Sequence, residues 1–204
     1  MSESVPTTRK SRSGLIILVI LIALFALPEI IAVGLQTIKW RPKSTTNRGD
    51  LVQPPRAISS SNLQTLDNKT LKFSDLQKKW TAIYFADAEC DALCTKNLYT
   101  MRQVQTALGK EQGRLQRVFV PMGNVSADKL QEKLKEYPGM TVIAGPKSEV
   151  EVLTQQFILP GANGVDNQRV YLVDPLGNLM MTYRDNPGGM LKDLRHLMKT
   201  SWAG

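Results

Sequence analysis

Trp80-Thr-Ala-Ile-Tyr-Phe85 runs directly into Ala86-Asp-Ala-Glu-Cys90-Asp-Ala-Leu-Cys94-Thr95, and a helical pattern follows. The first six residues are rich in aromatic and β-branched side chains, the composition of a buried central strand. Leu98, Met101, Val104 or Gln105, and Leu108 then recur at helical spacing and give the next segment one apolar face. The protein's only two cysteines therefore lie where a strand hands over to a helix. Four residues apart, Cys90 and Cys94 are expected to share one face of the helix's first turn. That is close enough for a disulfide, or for both sulfurs to bind one soft metal ion.

The start of a helix stabilises a thiolate, the reactive form of cysteine, through its unpaired N–H groups and its dipole. Asp87, Glu89 and Asp91 push the other way, because they disfavour a further negative charge. Destabilising the reduced, ionised form favours the disulfide, so the pair is expected to act as a reductant. A purely structural disulfide fits the same spacing.

The chain has 204 residues, enough for one domain of ordinary size plus an extension. Its net charge of +8 is unevenly placed: residues 1–56 hold 8 Lys/Arg against 3 Asp/Glu, and residues 57–204 hold 18 against 15. The basic residues of the later part are scattered, so the basic pI is no nucleic-acid footprint. The excess flanks an apolar segment, Leu15 to Leu35, which as a helix is about 31 Å long and sufficient to cross a bilayer core.

This segment is read as a transmembrane anchor over residues 14–36, after a cytoplasmic head of residues 1–13. Pro28-Glu29 interrupts it, and the 13 apolar residues from Leu15 to Leu27 also suit a secretory signal cleaved near Ala32-Val33-Gly34. Ile30, Ile31, Val33 and Leu35 continue the apolar run and favour the anchor. Arg9, Lys10 and Arg12 before it are nearly balanced by Lys39, Arg41, Lys43 and Arg48 after it. A short basic head before a first apolar segment is the usual start of an exported chain, so the C-terminal domain is expected outside.

Residues 37–57 read as a linker, with Pro42, a polar run and Pro54-Pro55. From residue 58 to 204 the pattern is that of one domain. Short leading strands turn at Asp67-Asn68-Lys69, and a short helix near Ser74 precedes the strand at Trp80. After the cysteine helix come a loop at 109–113, a strand at Arg117–Pro121, a helix capped by Ser126 and a short strand at Thr141–Ala144. A helix from Ser148 has Val150, Leu153 and Phe157 on its apolar face. Arg169–Val173 and Leu179–Tyr183 form a hairpin around Asp174-Pro-Leu-Gly-Asn178, and a last helix follows Asn186-Pro-Gly-Gly189. Interleaved strands and helices, with a hairpin added, predict an α/β domain whose mixed sheet is covered on both faces. The order resembles the thioredoxin fold over about residues 60 to 200.

The Cys90-Asp-Ala-Leu-Cys94 spacing, the apolar anchor and Tyr171-Leu-Val-Asp174-Pro175-Leu-Gly177 together resemble the Sco/SenC family. That resemblance implies a membrane-anchored thioredoxin-fold protein of the bacterial inner membrane, its domain in the periplasm, which assembles the copper centre of cytochrome c oxidase. It implies Cu(I) held by the thiolates of Cys90 and Cys94 with a distant imidazole, and in some members thiol–disulfide reduction of the oxidase's own cysteines. The prolines that often follow the family's cysteines are replaced by Asp91 and Thr95. The family's histidine falls in Val165-Asp166-Asn167-Gln168, where Asn167 stands in its place, and an amide is a poor ligand for Cu(I). The single histidine, His196, lies with Lys192 and Lys199 on the polar face of the last helix and reads as solvated. Met180, Met181, Met190 and Met198 read equally well as packing. A peroxiredoxin is a weaker match, since no Thr is placed to activate Cys90.

Two classes of function remain. In one, a membrane-tethered dithiol reduces or metallates the cysteines of a cytochrome c oxidase subunit or assembly factor, with Cys90 attacking and Cys94 resolving the mixed disulfide. In the other, a Sco-like domain docks on a respiratory membrane complex and its disulfide is static.

Overall fold

A computed structural model describes residues 12–38, 46–60, 62–123 and 126–201. The chain falls into two units, Met1–Thr46 and Asn47–Gly204. The described part of the first is dominated by one helix, α1 (Arg12–Thr37). Its 24 residues Gly14–Thr37 are long and apolar enough to cross a membrane. The helix continues through Pro28, where the sequence suggested an interruption. Proline deletes one backbone hydrogen bond, and helices of membrane-spanning length absorb that loss by small local adjustments. Residues 1–11 of the head, and Lys39, Arg41 and Lys43 of the basic residues after the anchor, lie outside the described residues.

The described residues of the second unit form eight strands: β1 (Asp50–Ala57), β2 (Leu63–Thr65), β3 (Thr70–Leu71), β4 (Trp80–Asp87), β5 (Leu115–Met122), β6 (Met140–Gly145), β7 (Arg169–Val173) and β8 (Asn178–Arg184). The helices α2 (Ala92–Ala107), α3 (Ala127–Leu134), α4 (Lys147–Gln155) and α5 (Pro187–Thr200) accompany them, with 3-10 turns at Phe73–Leu76 and Gly109–Arg114. The sheet order is β1-β8-β7-β4-β5-β6-β2-β3. β4 lies inside the sheet, parallel to β5 from Trp80↔Leu115 to Asp87↔Met122 and antiparallel to β7 from Thr81↔Val173 to Tyr84↔Val170.

Successive side chains of a strand point to opposite faces, and β4 divides the core accordingly. Ala82, Tyr84 and Ala86 pack with Leu98, Met101 and Val104 of α2 and with Met190, Leu194 and Met198 of α5. Ile83 and Phe85 pack on the other face with Val150 and Leu153 of α4, and with Phe73, Phe157 and Tyr171. Phe85, Phe157 and Tyr171 form a mutually tilted aromatic cluster, with centroids 4.9 to 5.6 Å apart. Burying each large apolar side chain contributes about 1.5–3 kcal/mol, so the two-sided sheet is where the stability of the domain resides.

The linker reading needs one correction. Asp50–Ala57, assigned by sequence to the end of the linker, is the edge strand β1, paired antiparallel with β8 from Asp50↔Thr182 to Ala57↔Asn178. Pro54 and Pro55 fall in the register shift between Leu51 and Arg56. Proline cannot donate to a ladder, and an edge strand with a bulge is where a sheet tolerates it. The chain is tied down just before this strand. The buried Asp193 of α5 accepts hydrogen bonds at Oδ2 from the backbone N–H of Arg48 (2.8 Å) and Gly49 (3.0 Å) and from the Tyr183 hydroxyl (3.2 Å). A Cβ on Gly49 would lie 2.5 Å from the Tyr183 ring, so only glycine fits so close an approach.

The hairpin turn follows its sequence signal. Asp174 Oδ1 accepts from the backbone N–H of Leu176 (2.9 Å) and Asn178 (2.8 Å), and Gly177 takes φ +92°. An Asp side chain that bonds two residues onward closes such a turn, and glycine alone adopts the positive φ without strain.

Candidate functional site

Cys90 and Cys94 are joined by a disulfide, with Cα atoms 5.0 Å apart. The helix does not begin where the cysteine spacing suggested. Asp91 is the N-cap of α2, its carboxylate accepting from the Cys94 N–H at 2.8 Å, and Cys90 lies outside the helix with φ +47°. Aspartate is among the strongest N-cap residues, so it takes that position and leaves Cys90 on the entering turn. That turn is closed by the Cys90 N–H donating to the Asp87 carbonyl at 2.9 Å. Cys90 is the more exposed of the pair, but only just, at 5% against 1% for Cys94.

The three acids have distinct placements. Asp91 is committed to the cap, while Asp87 and Glu89 are exposed beside a cavity of about 380 Å³ that is also lined by Ala86, Ala88, Asp91, Met122, Gly123 and Asn167. The loop after α4 thus reaches the cysteine turn. Its backbone is held there: the Asn167 carbonyl accepts from the Tyr84 hydroxyl at 2.8 Å and from the Asn97 side-chain amide at 3.5 Å. Burial pushes the Tyr84 hydroxyl pKa up against the bond from Asn97, and the negative charges of Asp91 and Asp166 push it further. The phenol therefore stays protonated and remains a donor to the loop.

The neighbouring residue anchors the loop from the other side. Asp166 accepts from the Gln168 N–H (2.9 Å) and from Arg169 (3.0 Å), and it also pairs with Arg184. Burial alone would raise the Asp166 pKa. The Gln168 amide and the two guanidinium groups outweigh it and hold the carboxyl below its ordinary value. Arg169 also pairs with Asp50 at the start of β1, which links the loop to the edge strand.

Three contributors to the site carried no sequence signal. Tyr84 reads simply as a core aromatic, and Met122 as the end of a strand. Lys133 of α3 donates from Nζ to the carbonyls of Glu89 and Cys90, the latter at 2.9 Å. A lysine on a polar helix face is indistinguishable in sequence from any solvated lysine. His196 is exposed on α5, as its pattern indicated, while Met181, Met190 and Met198 are buried in the core. No group of three or more His, Cys, Asp or Glu among the described residues is placed to hold a metal ion.

Residues 80–201 match the family model described as "Transmembrane-like, thioredoxin-like, C-terminal domain". No curated protein matches the chain by sequence. Among solved structures, yeast Sco1 with copper bound superposes with a TM-score of 0.62 at 20% identity, covering 72% of this chain and 91% of that one. Apo Sco1 from Thermus thermophilus gives 0.62 at 20% identity, over 76% and 99%. BsSco, described as having a disulfide switch and as a member of the Sco family of cytochrome c oxidase assembly proteins, gives 0.58 at 18% identity, over 74% and 99%. At these identities the likeness establishes the thioredoxin-like fold of the Sco structures for this domain.

Proposed function

This chain belongs to the transmembrane-like, thioredoxin-like C-terminal-domain family, and from its cysteine pair and its likeness to Sco structures we propose that it is a membrane-tethered thiol–disulfide reductant acting in assembly of the cytochrome c oxidase copper centre. The observation that carries the reading is a dithiol pair at the switch from the buried strand β4 to helix α2, closed as a disulfide. In the reduced domain, the Cys90 thiolate attacks one sulfur of a partner disulfide, forming a mixed disulfide and releasing a partner thiolate. Cys94 then attacks the Cys90 sulfur, restoring the Cys90–Cys94 bond and releasing the second partner thiolate. Two electrons pass to the partner, the two protons of the dithiol pass to solvent or to the released thiolates, and an upstream dithiol reductant resets the pair.

Copper, if delivered, is cargo of the same site. The two thiolates are soft donors suited to Cu(I), and Met122 and Asn167 line the cavity beside the turn. The decisive experiment is trapping. Cys94→Ser in the full chain leaves Cys90 able to attack but removes the resolving thiol, so a mixed disulfide with an oxidase subunit or assembly factor is expected in membranes. Trapping of no partner, together with growth and oxidase activity indifferent to Cys90→Ser, refutes the reductant reading.

The near-complete burial of both cysteines favours a second reading, a docking module with a static disulfide. Equilibration with a glutathione redox buffer separates the two: a static bond stays oxidised throughout, whereas a working pair titrates.

The topology belongs to the same proposal, with α1 an uncleaved anchor and the domain on the periplasmic side of a bacterial inner membrane. A reporter fused after Gly204 should be active only outside the cytoplasm, and the chain should remain in membranes after a carbonate wash. Release as a shortened soluble protein would show cleavage near Gly34 instead.

A further inference from the structure

The loop between α4 and β7 contains Asn163-Gly164, the only Asn-Gly pair in the chain. Both residues are exposed, the backbone bends at them, and they line a cavity of about 280 Å³ with Met122, Lys147, Glu151 and Val165. The loop is fastened on either side of the pair. The Ala162 N–H donates to the Leu159 carbonyl at 3.0 Å, and the Asp166 N–H donates to the Tyr171 hydroxyl at 2.8 Å. Between these bonds, neither the Asn163 side chain nor the Gly164 N–H has a hydrogen-bond partner among the described residues.

The backbone nitrogen after an asparagine is the nucleophile closest to that asparagine's amide carbon. Whether the nitrogen is free and unhindered therefore decides which asparagines react. After Asn47, the Arg48 N–H is given to Asp193 at 2.8 Å. After Asn68, the Lys69 N–H goes to the Thr65 hydroxyl at 3.2 Å, and after Asn167 the Gln168 N–H goes to Asp166 at 2.9 Å. Asn186 precedes Pro187, which has no N–H. Asn62, Asn97 and Asn178 precede Leu63, Leu98 and Leu179, buried residues of β2, α2 and β8 whose bulk hinders approach. Gly164 combines a free N–H with the absence of any side chain.

We propose that Asn163 is a site of self-modification, converting spontaneously to aspartate and isoaspartate through a cyclic imide formed with Gly164. The Gly164 nitrogen bonds to the Asn163 amide carbon, whose own nitrogen departs as ammonia and carries the Gly164 proton with it. Water then opens the imide at either carbonyl, leaving one new carboxylate and releasing its proton to solvent. No electrons are transferred and no cofactor takes part. The product adds a negative charge to the wall of the cavity that Lys147 and Glu151 share. The isoaspartate form also adds one methylene to the main chain between the fastenings at Ala162 and Asp166, in the loop that carries Asn167. Neither cysteine is involved, so the proposal stands apart from the dithiol chemistry.

The test incubates the full chain in detergent, in mildly alkaline buffer, beside a synthetic peptide of residues 159–168 that serves as a clock. Mass-spectrometric peptide mapping scores each asparagine, and protein isoaspartyl methyltransferase labels the rearranged product. Asn163 should convert at least about tenfold faster than any other described asparagine, which takes only a modest difference in barrier. Gly164→Ala should slow the conversion by about tenfold, because a β-carbon hinders the attacking nitrogen. That β-carbon would meet nothing within 4 Å, so the variant keeps the fold. Asn163→Gln should abolish methyltransferase labelling at this position. An Asn163 that stays intact after the clock peptide has converted overturns the proposal. Conversion spread evenly over the asparagines of the folded chain overturns it as well.

Discussion

Asp193→Ala is expected to destabilise the C-terminal unit by about 3–5 kcal/mol, because it orphans several polar groups around a buried carboxylate. The carboxylate accepts from the Arg48 and Gly49 N–H groups and from the Tyr183 hydroxyl. Alanine satisfies none of them, and water has little room, since Gly49 already packs against the Tyr183 ring. For a domain of this size the change corresponds to a fall in Tm of roughly 10 °C. Hydrogen exchange should show the loss first in β1, whose entry into the sheet the carboxylate secures. Asp193→Asn keeps an acceptor oxygen and should recover about half of the loss. A Tm for Asp193→Ala within about 2 °C of wild type would show that the clasp contributes little.

The same cluster predicts the alkaline limit of the fold. Burial, then the charge of Asp193 and its hydrogen bond, raise the Tyr183 pKa far above its ordinary value of 10.0. In the unfolded chain the phenol loses its proton near that ordinary value, whereas in the folded chain it keeps it. Stability is therefore intact below about pH 10 and falls as pH rises beyond it. Tyr84 and Tyr171, also raised chiefly by burial, add to the same slope. Tyr183→Phe should flatten it.

Asn167→His should tighten Cu(I) binding by the reduced domain at least 10- to 100-fold, the scale on which even a supporting residue around a metal matters. Two thiolates alone leave a soft ion open to competing thiols. A neutral imidazole supplies the third donor that an amide oxygen supplies poorly. The loop geometry favours the substitution, because the Asn167 backbone is pinned by Tyr84 and Asn97 at the cavity beside the cysteine turn. The measurement is a chelator competition with wild type, Asn167→His and Cys90→Ser. Wild-type binding as tight as that of the histidine variant would mean that another donor completes the shell, and Met122→Leu would then test the thioether that lines the same cavity. No binding by either form would leave thiol chemistry or docking as the whole role. The competition should be run near neutral pH. Acid protonates Asp166, whose carboxyl sits below its ordinary 3.8, so the loop anchor persists above that value and is lost as pH falls beneath it.

Much of the molecule was legible along the chain because the signals were local. The apolar run of β4, the helical spacing from Leu98 to Leu108 and the Asp174–Gly177 turn each follow from side-chain size, period or backbone freedom within a few residues. Cys90 and Cys94 are close in sequence, so their pairing needed no long-range folding. Asn167 stands out only through the resemblance to the Sco/SenC family, as the residue in the place of that family's histidine. What only the tertiary structure decided depends on which segments meet. Asp50–Ala57 carries two prolines and reads as linker until β8 offers it an edge to pair with. Asp91 competes with the cysteines for the start of α2 and, as the better cap, moves Cys90 out of the helix. Lys133 and Asp193 resemble any other charged residues on amphipathic helices. Their contacts arise because α3 is brought over the cysteine turn and α5 against the chain entering β1, and no pattern within a helix encodes which backbone groups will arrive opposite it.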